Sequence, residues 1–139
     1  MSLHVLFCVL IISFLPICNG CFGSANGGTP EIVINPCTTC TLPILPPPEG
    51  GDIVEAPGTQ TISTVGPGCL VFDVTCTGDD GETVAFGGTR NGMNIVVTTG
   101  MGALMAQFIC NQEGIVQGPN SDGDTVEFDS VYCSQTTNG

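Results

Sequence analysis

Six residues could carry thiol chemistry together: Cys37, Cys40, Cys69, Cys76, Cys110 and Cys133. The first two form a Cys37-Thr-Thr-Cys40 pair, a spacing used for redox exchange, for zinc and for disulfides. A redox pair needs a helix N-terminus to lower the thiol pKa. Pro36 precedes this pair and the arm Leu42-Pro43-Ile44-Leu45-Pro46-Pro47-Pro48 follows it, which leaves no place for a helix to start. Zinc needs four ligands, but there is no second Cys-x-x-Cys and the single histidine is His4. The six cysteines are therefore read as three structural disulfides, with neither metal nor cofactor.

Other catalytic chemistry lacks its parts. With lysine absent and only His4 available, neither a histidine base nor a Schiff-base amine can be assigned in the body of the chain. Thirteen acidic residues offer many carboxylate pairs. Most fall in turn-like stretches (Asp79, Asp80, Glu113, Asp122, Asp124) or at outward strand positions (Asp73, Glu127, Asp129). Tryptophan is missing and Tyr132 is the lone tyrosine, so stacking platforms for a sugar are scarce. No catalytic residue is assigned, and an enzyme is not expected.

One stretch could hold a hard cation. Asn120-Ser-Asp122-Gly-Asp124 sets oxygen side chains at alternate positions, as calcium loops do. It departs from the EF-hand pattern: Gly123 comes early, Thr125 holds the glycine position and Val131 replaces the closing glutamate. An exposed acidic hairpin turn accounts for the same residues. Asn120, Asp122 and Asp124 stand as a secondary calcium candidate, not as an assigned site.

Charge narrows the partners. The chain has 139 residues and a net charge of −12, with Arg90 its only Lys or Arg. Such a surface repels a phosphate backbone and anionic lipid, which argues against nucleic acid and membrane surfaces as partners. Only 10% of residues are charged and 42% are hydrophobic, so the composition is that of a folded protein.

The ends set the compartment. Met1 to His4 is a short polar start, Val5 to Ile17 is apolar, and Cys18-Asn19-Gly20 is small and polar. This reads as a secretory signal over 1–20, since the apolar run falls short of the ~20 residues a membrane span needs. No other run is long enough to span. Cleavage after Gly20 leaves Cys21 as a seventh cysteine and a route to a disulfide dimer; cleavage after Ala25 leaves six. A leader over 21–36, a six-cysteine extracellular domain over 37–134 and a polar tail over 135–139 complete the plan. The product is expected to be secreted. No Asn-x-Ser/Thr sequon occurs, while Thr38, Thr39 and Thr41 beside prolines could carry O-glycans.

The cysteines must be positioned by strands. Short β-type runs recur at intervals of roughly 8–12 residues. Glu31 to Asn35 reads as an edge strand stopped by Pro36. The proline arm should run extended along a sheet edge or across its outside. Thr59 to Val65, Cys69 to Thr77, Thr83 to Phe86, Met93 to Thr98, Ala103 to Cys110 and a closing Thr125 to Cys133 follow. Turns are expected at Asp79-Asp80-Gly81, Asn111 to Gly114 and Asn120 to Asp124. Leu70, Phe72, Val74 and Cys76 share one face, as do Leu104, Ala106, Phe108 and Cys110. The fold class is all-β: a disulfide-stabilised antiparallel sandwich, or a small barrel, of about seven to eight short strands.

Parity bears on the pairing without settling it. Cys69 and Cys76 point to opposite faces of their strand. Cys76 and Cys110 both lie on apolar faces, so a core bridge between them is expected, leaving Cys37, Cys40, Cys69 and Cys133 for two more. Six cysteines allow about fifteen connectivities.

The order Cys-x-x-Cys, a proline-rich step, Gly68-Cys69, Thr75-Cys76-Thr77-Gly78, then single cysteines at 110 and 133, resembles the six-cysteine domain of nematode secreted proteins. The ending Asp129-Ser130-Val131-Tyr132-Cys133-Ser134 is similar to that family's closing strand, and the likeness runs from about Cys37 to Ser134. It implies an extracellular, disulfide-bonded domain and carries no activity. Some family members lack the first and third cysteines together, which implies a Cys37–Cys69 bridge here. The expected role is binding, adhesive or structural, toward an extracellular protein or matrix component. The rival roles are a secreted inhibitor of a hydrolase and a calcium-dependent binding module.

Overall fold

The computed structural model describes residues 33–137. The signal segment, Cys21, most of the leader, Glu31 and Ile32, and the last two residues lie outside the described residues.

Nine strands follow one 3-10 turn: Pro36–Thr38, then β1 Ile53–Glu55, β2 Gly58–Val65, β3 Cys69–Thr77, β4 Thr83–Arg90, β5 Met93–Met101, β6 Ala103–Cys110, β7 Val116–Pro119, β8 Thr125–Phe128 and β9 Ser130–Thr136. They form two sheets, a four-stranded one in the order β1-β9-β4-β5 and a five-stranded one in the order β2-β3-β6-β7-β8. All strand pairs are antiparallel. The sheets pack face to face as a sandwich and do not close into a barrel.

Alternation explains the core. Phe72, Val74 and Cys76 of β3 are buried inward, opposite Phe108, Ala106 and Leu104 of β6. Val84 and Phe86 of β4 and Val131 and Cys133 of β9 supply the facing layer. Phe108 links the two: its ring lies 5.9 Å from Phe86 and 5.0 Å from Phe128, the latter edge-on. Two glycines make room for these rings. A Cβ at Gly88 would sit 2.5 Å from the Phe128 ring, and one at Gly118 would overlap Phe108.

The structure corrects several boundaries. The closing segment is two strands in different sheets, broken at Asp129. Phe128 and Val131 are both buried, and their odd spacing cannot put both on one face of a single strand. Gln135 and Thr136 are not tail but the end of β9. Gln135 is 7% exposed, donates to Asp79 Oδ2 (2.7 Å) and accepts from the Asp79 amide (2.9 Å). β4 and β5 run longer than Thr83–Phe86 and Met93–Thr98, and the short strands β1 and β7 are additions. Val33 to Asn35 is not strand.

A single turn of 3-10 helix does start before the Cys-x-x-Cys pair. Asn35 caps it, its Oδ1 accepting from the Cys37 amide, and Pro36 occupies the first helical positions, where its missing N–H costs nothing. The proline arm behaves as expected for an extended edge segment. The Leu45 amide donates to Val131 O (2.8 Å) and the Val131 amide to Pro43 O (3.0 Å), so the arm extends the β9 edge beside β1.

Candidate functional site

The cysteines form three bridges: Cys37–Cys69, Cys40–Cys110 and Cys76–Cys133, with Cα–Cα distances of 4.6, 5.9 and 5.4 Å. Cys37–Cys69 is the bridge that the resemblance implies. The expected Cys76–Cys110 bridge is not made. Cys76 and Cys110 do share the inner face, but Cys76 stands opposite Leu104 in the β3–β6 ladder. Cys110 lies six residues farther along β6, about 20 Å away, well beyond the ~7 Å a disulfide can reach.

The bridges divide the work by place. Cys37 and Cys40 pin the 3-10 turn and the start of the arm to the ends of β3 and β6. Cys76–Cys133 instead joins β3 of one sheet to β9 of the other, within the core, and Gly58 packs against its Cys133 sulfur. With all six in bridges, none of the six offers a thiolate to a substrate or metal.

Beside the pinned end lies a cleft of about 330 Å³, lined by Thr39, Thr41, Arg90, Ile115, Phe128 and Asp129 among others. Arg90 is the cation in its wall, and it is already engaged. Its Nη2 donates to Glu127 and its Nη1 to Asp129 Oδ1 at 2.6 Å. Asp129 Oδ2 also accepts from the Asn91 amide at 2.6 Å. That backbone donor first, and the Arg90 guanidinium second, hold the Asp129 carboxyl below its ordinary range. Arg90 is raised in turn, chiefly by its hydrogen bond to Asp129.

The cluster is a clasp. It ties the β4–β5 hairpin, an Asn91-Gly92 turn with φ of +52° and +76°, to the corner where β8 passes into β9. A carboxylate held ionised by two donors suits neither general acid nor nucleophile, and a guanidinium forked between two carboxylates has little left for an anionic ligand.

The calcium candidates sit in the β7–β8 hairpin. Asn120 Oδ1 points at the amides of Asp122 (3.0 Å) and Asp124 (2.8 Å), and the Asn120 amide donates to Asp124 O (2.9 Å). The β6–β7 hairpin repeats this geometry: Asn111 Oδ1 accepts from Glu113 (3.0 Å) and Ile115 (2.9 Å). Each loop carries a glycine at the fourth position, Gly114 at φ +79° and Gly123 at φ +86°. The asparagine oxygen thus closes the turn from inside. Among the described residues no three His, Cys, Asp or Glu side chains converge as a metal site.

Sequence reasoning misses the Arg90 clasp, although a lone cation among thirteen acids must find some of them, and Asn91-Gly92 is a strong hairpin signal. No helix of the described residues is long and apolar enough to cross a membrane. No family model, curated protein or solved structure matches the chain.

Proposed function

We propose that this chain is a secreted, extracellular domain with a binding, adhesive or structural role, not an enzyme, of the six-cysteine kind found in nematode secreted proteins. The observation that carries the reading is that Cys37, Cys40, Cys69, Cys76, Cys110 and Cys133 are all consumed in intramolecular bridges. Such bridges persist in oxidising compartments and are reduced in the cytosol. The Cys37–Cys69 pairing supports the likeness. The charge of −12 favours a neutral or cationic partner, an extracellular protein or matrix component, over a polyanion.

Two measurements test this. Expressed from its own N-terminus in secretory cells, the protein should be recovered from the medium with these three bridges intact. Retention in the cytosol with free thiols sinks the proposal. The oxidised domain should then capture an extracellular protein or matrix component by proximity labelling. Stoichiometric inhibition of one member of a hydrolase panel would replace the adhesive or structural role with an inhibitory one.

A further inference from the structure

A sandwich has four sheet edges, and natural proteins blunt such edges with charge, proline, bulges or cover. Three here are blunted. β1 has three residues, ends in Glu55 and follows Asp52. β8 has four and carries Glu127. β5 is longer but takes an extra residue, Val97, where its register with β4 shifts, and the Ser121 amide covers Val96 O at 2.8 Å. The arm meets β2 on its inner side, where Gln60 Nε2 donates to Leu42 O at 2.9 Å, but among the described residues β2 itself carries no charge, proline or bulge. Its eight residues, Gly-Thr-Gln-Thr-Ile-Ser-Thr-Val, hold unbroken register with β3 from Gly58↔Cys76 to Val65↔Cys69. They sit in a run without a charged residue from Ala56 to Phe72.

The direction of the free groups follows from one bond. Thr77 N donates to Pro57 O at 2.9 Å, so odd-numbered positions of β2 bond to β3. The main-chain groups of Gln60, Ile62 and Thr64 therefore face the open edge. On the inner face of that edge lies a hollow of about 300 Å³ lined by Leu42, Pro43, Gln60, Ile62 and Phe72 among others. Ile62 is 59% exposed beside it.

We infer that β2 is the contact through which two copies of this chain associate, antiparallel and two-fold symmetric about Ile62, joining their five-stranded sheets into one. Opposed residues of antiparallel strands share a face, so pairing must keep parity, and centring on Ile62 does so. Ile62 then meets Ile62 of the second copy beside the two hollows, and Gln60 meets Thr64 twice. These three narrow pairs supply about six main-chain hydrogen bonds. A strand laid here meets an exposed aliphatic side chain, Ile62, flanked by uncharged Gln60 and Thr64, so the best match is an uncharged strand with an aliphatic residue at its centre. The chain's own β2 is such a strand. It also places the contact in an uncharged stretch of a molecule that otherwise repels its copies, so added salt should strengthen the association.

Sedimentation equilibrium of the oxidised protein recovered from the medium tests this. The expected result is a doubling of mass with rising concentration, more readily at high salt. Ile62→Asp and Ile62→Lys should each abolish the dimer while leaving circular dichroism unchanged, and mixing the two should restore it as a heterodimer. Val96→Lys, on the β5 edge, should leave dimerisation intact. A monomer at the highest soluble concentration overturns the inference. So does a dimer that persists on a denaturing gel without reductant, one lost with Val96→Lys, or a failure of the mixed variants to associate.

Discussion

Replacing Cys76 and Cys133 together by alanine removes the bridge that fastens one sheet to the other. By the loop-closure relation, a cross-link spanning 57 residues restricts the unfolded chain by about 4 kcal/mol. Cys76 is 0% exposed and Cys133 1%, and loss of both sulfurs leaves a void between the sheets worth roughly another 1 kcal/mol. The sum matches the low end of the roughly 5–15 kcal/mol that stabilises an ordinary domain. At about 4–8 °C per kcal/mol, the melting temperature should fall by at least about 20 °C. The Cys37→Ala/Cys69→Ala pair is the control. Its bridge spans 32 residues, so the entropic contribution differs by only about half a kcal/mol. What separates the two is place: the 3-10 turn at Cys37 can relax locally, whereas two packed sheets cannot close on a void. Urea unfolding of the oxidised proteins, followed by far-UV circular dichroism, measures both. A loss below about 1.5 kcal/mol for the sheet-to-sheet bridge, or a larger loss for Cys37–Cys69, would refute the reasoning.

Other perturbations follow from the same structure. Gly118→Ala puts a methyl group into the space of the Phe108 ring and should cost about 1–3 kcal/mol in urea melts, with loss of near-ultraviolet dichroism from the phenylalanines; an unchanged midpoint would remove Gly118 as a socket. Asp129 is held below its ordinary pKa, so its contribution is present above the unfolded value of about 3.9 and is lost as pH falls through the lower folded value. The stability gap between wild type and Asp129→Asn should therefore be full at neutral pH and narrow below about pH 4; a gap independent of pH counts against the clasp. Asn120→Ala and Asn111→Ala remove equivalent turn closures and should each cost about 1 kcal/mol, while millimolar calcium leaves the melting temperature unchanged; a calcium-dependent rise abolished only by Asn120→Ala would restore the cation site.

How far residues alone reveal this fold depends on the range over which each signal acts. Alternation is local, and it places β3 and β6 at Cys69–Thr77 and Ala103–Cys110, the same bounds that the structure has. Glycine is ambiguous locally: Gly87 and Gly88 look like strand breakers, yet β4 runs through them because Tyr132 and Phe128 lie across their missing side chains. Thr125 to Cys133 reads as one strand because nothing nearby says that Phe128 and Val131 must face the same core. The disulfides fail on a longer range. Parity tells which face a cysteine occupies, but only the register of β3 on β6 tells that Cys76 and Cys110 stand at opposite ends of it. The clasp is the same kind of problem, since Arg90 meets acids 37 and 39 positions away across a sheet order that no local pattern encodes. Edge status is equally non-local. The uncharged run from Thr59 to Val65 would be unremarked inside a sheet; at the rim, beside an open hollow and with its odd positions already bonded to β3, the same residues become the surface most able to accept another strand.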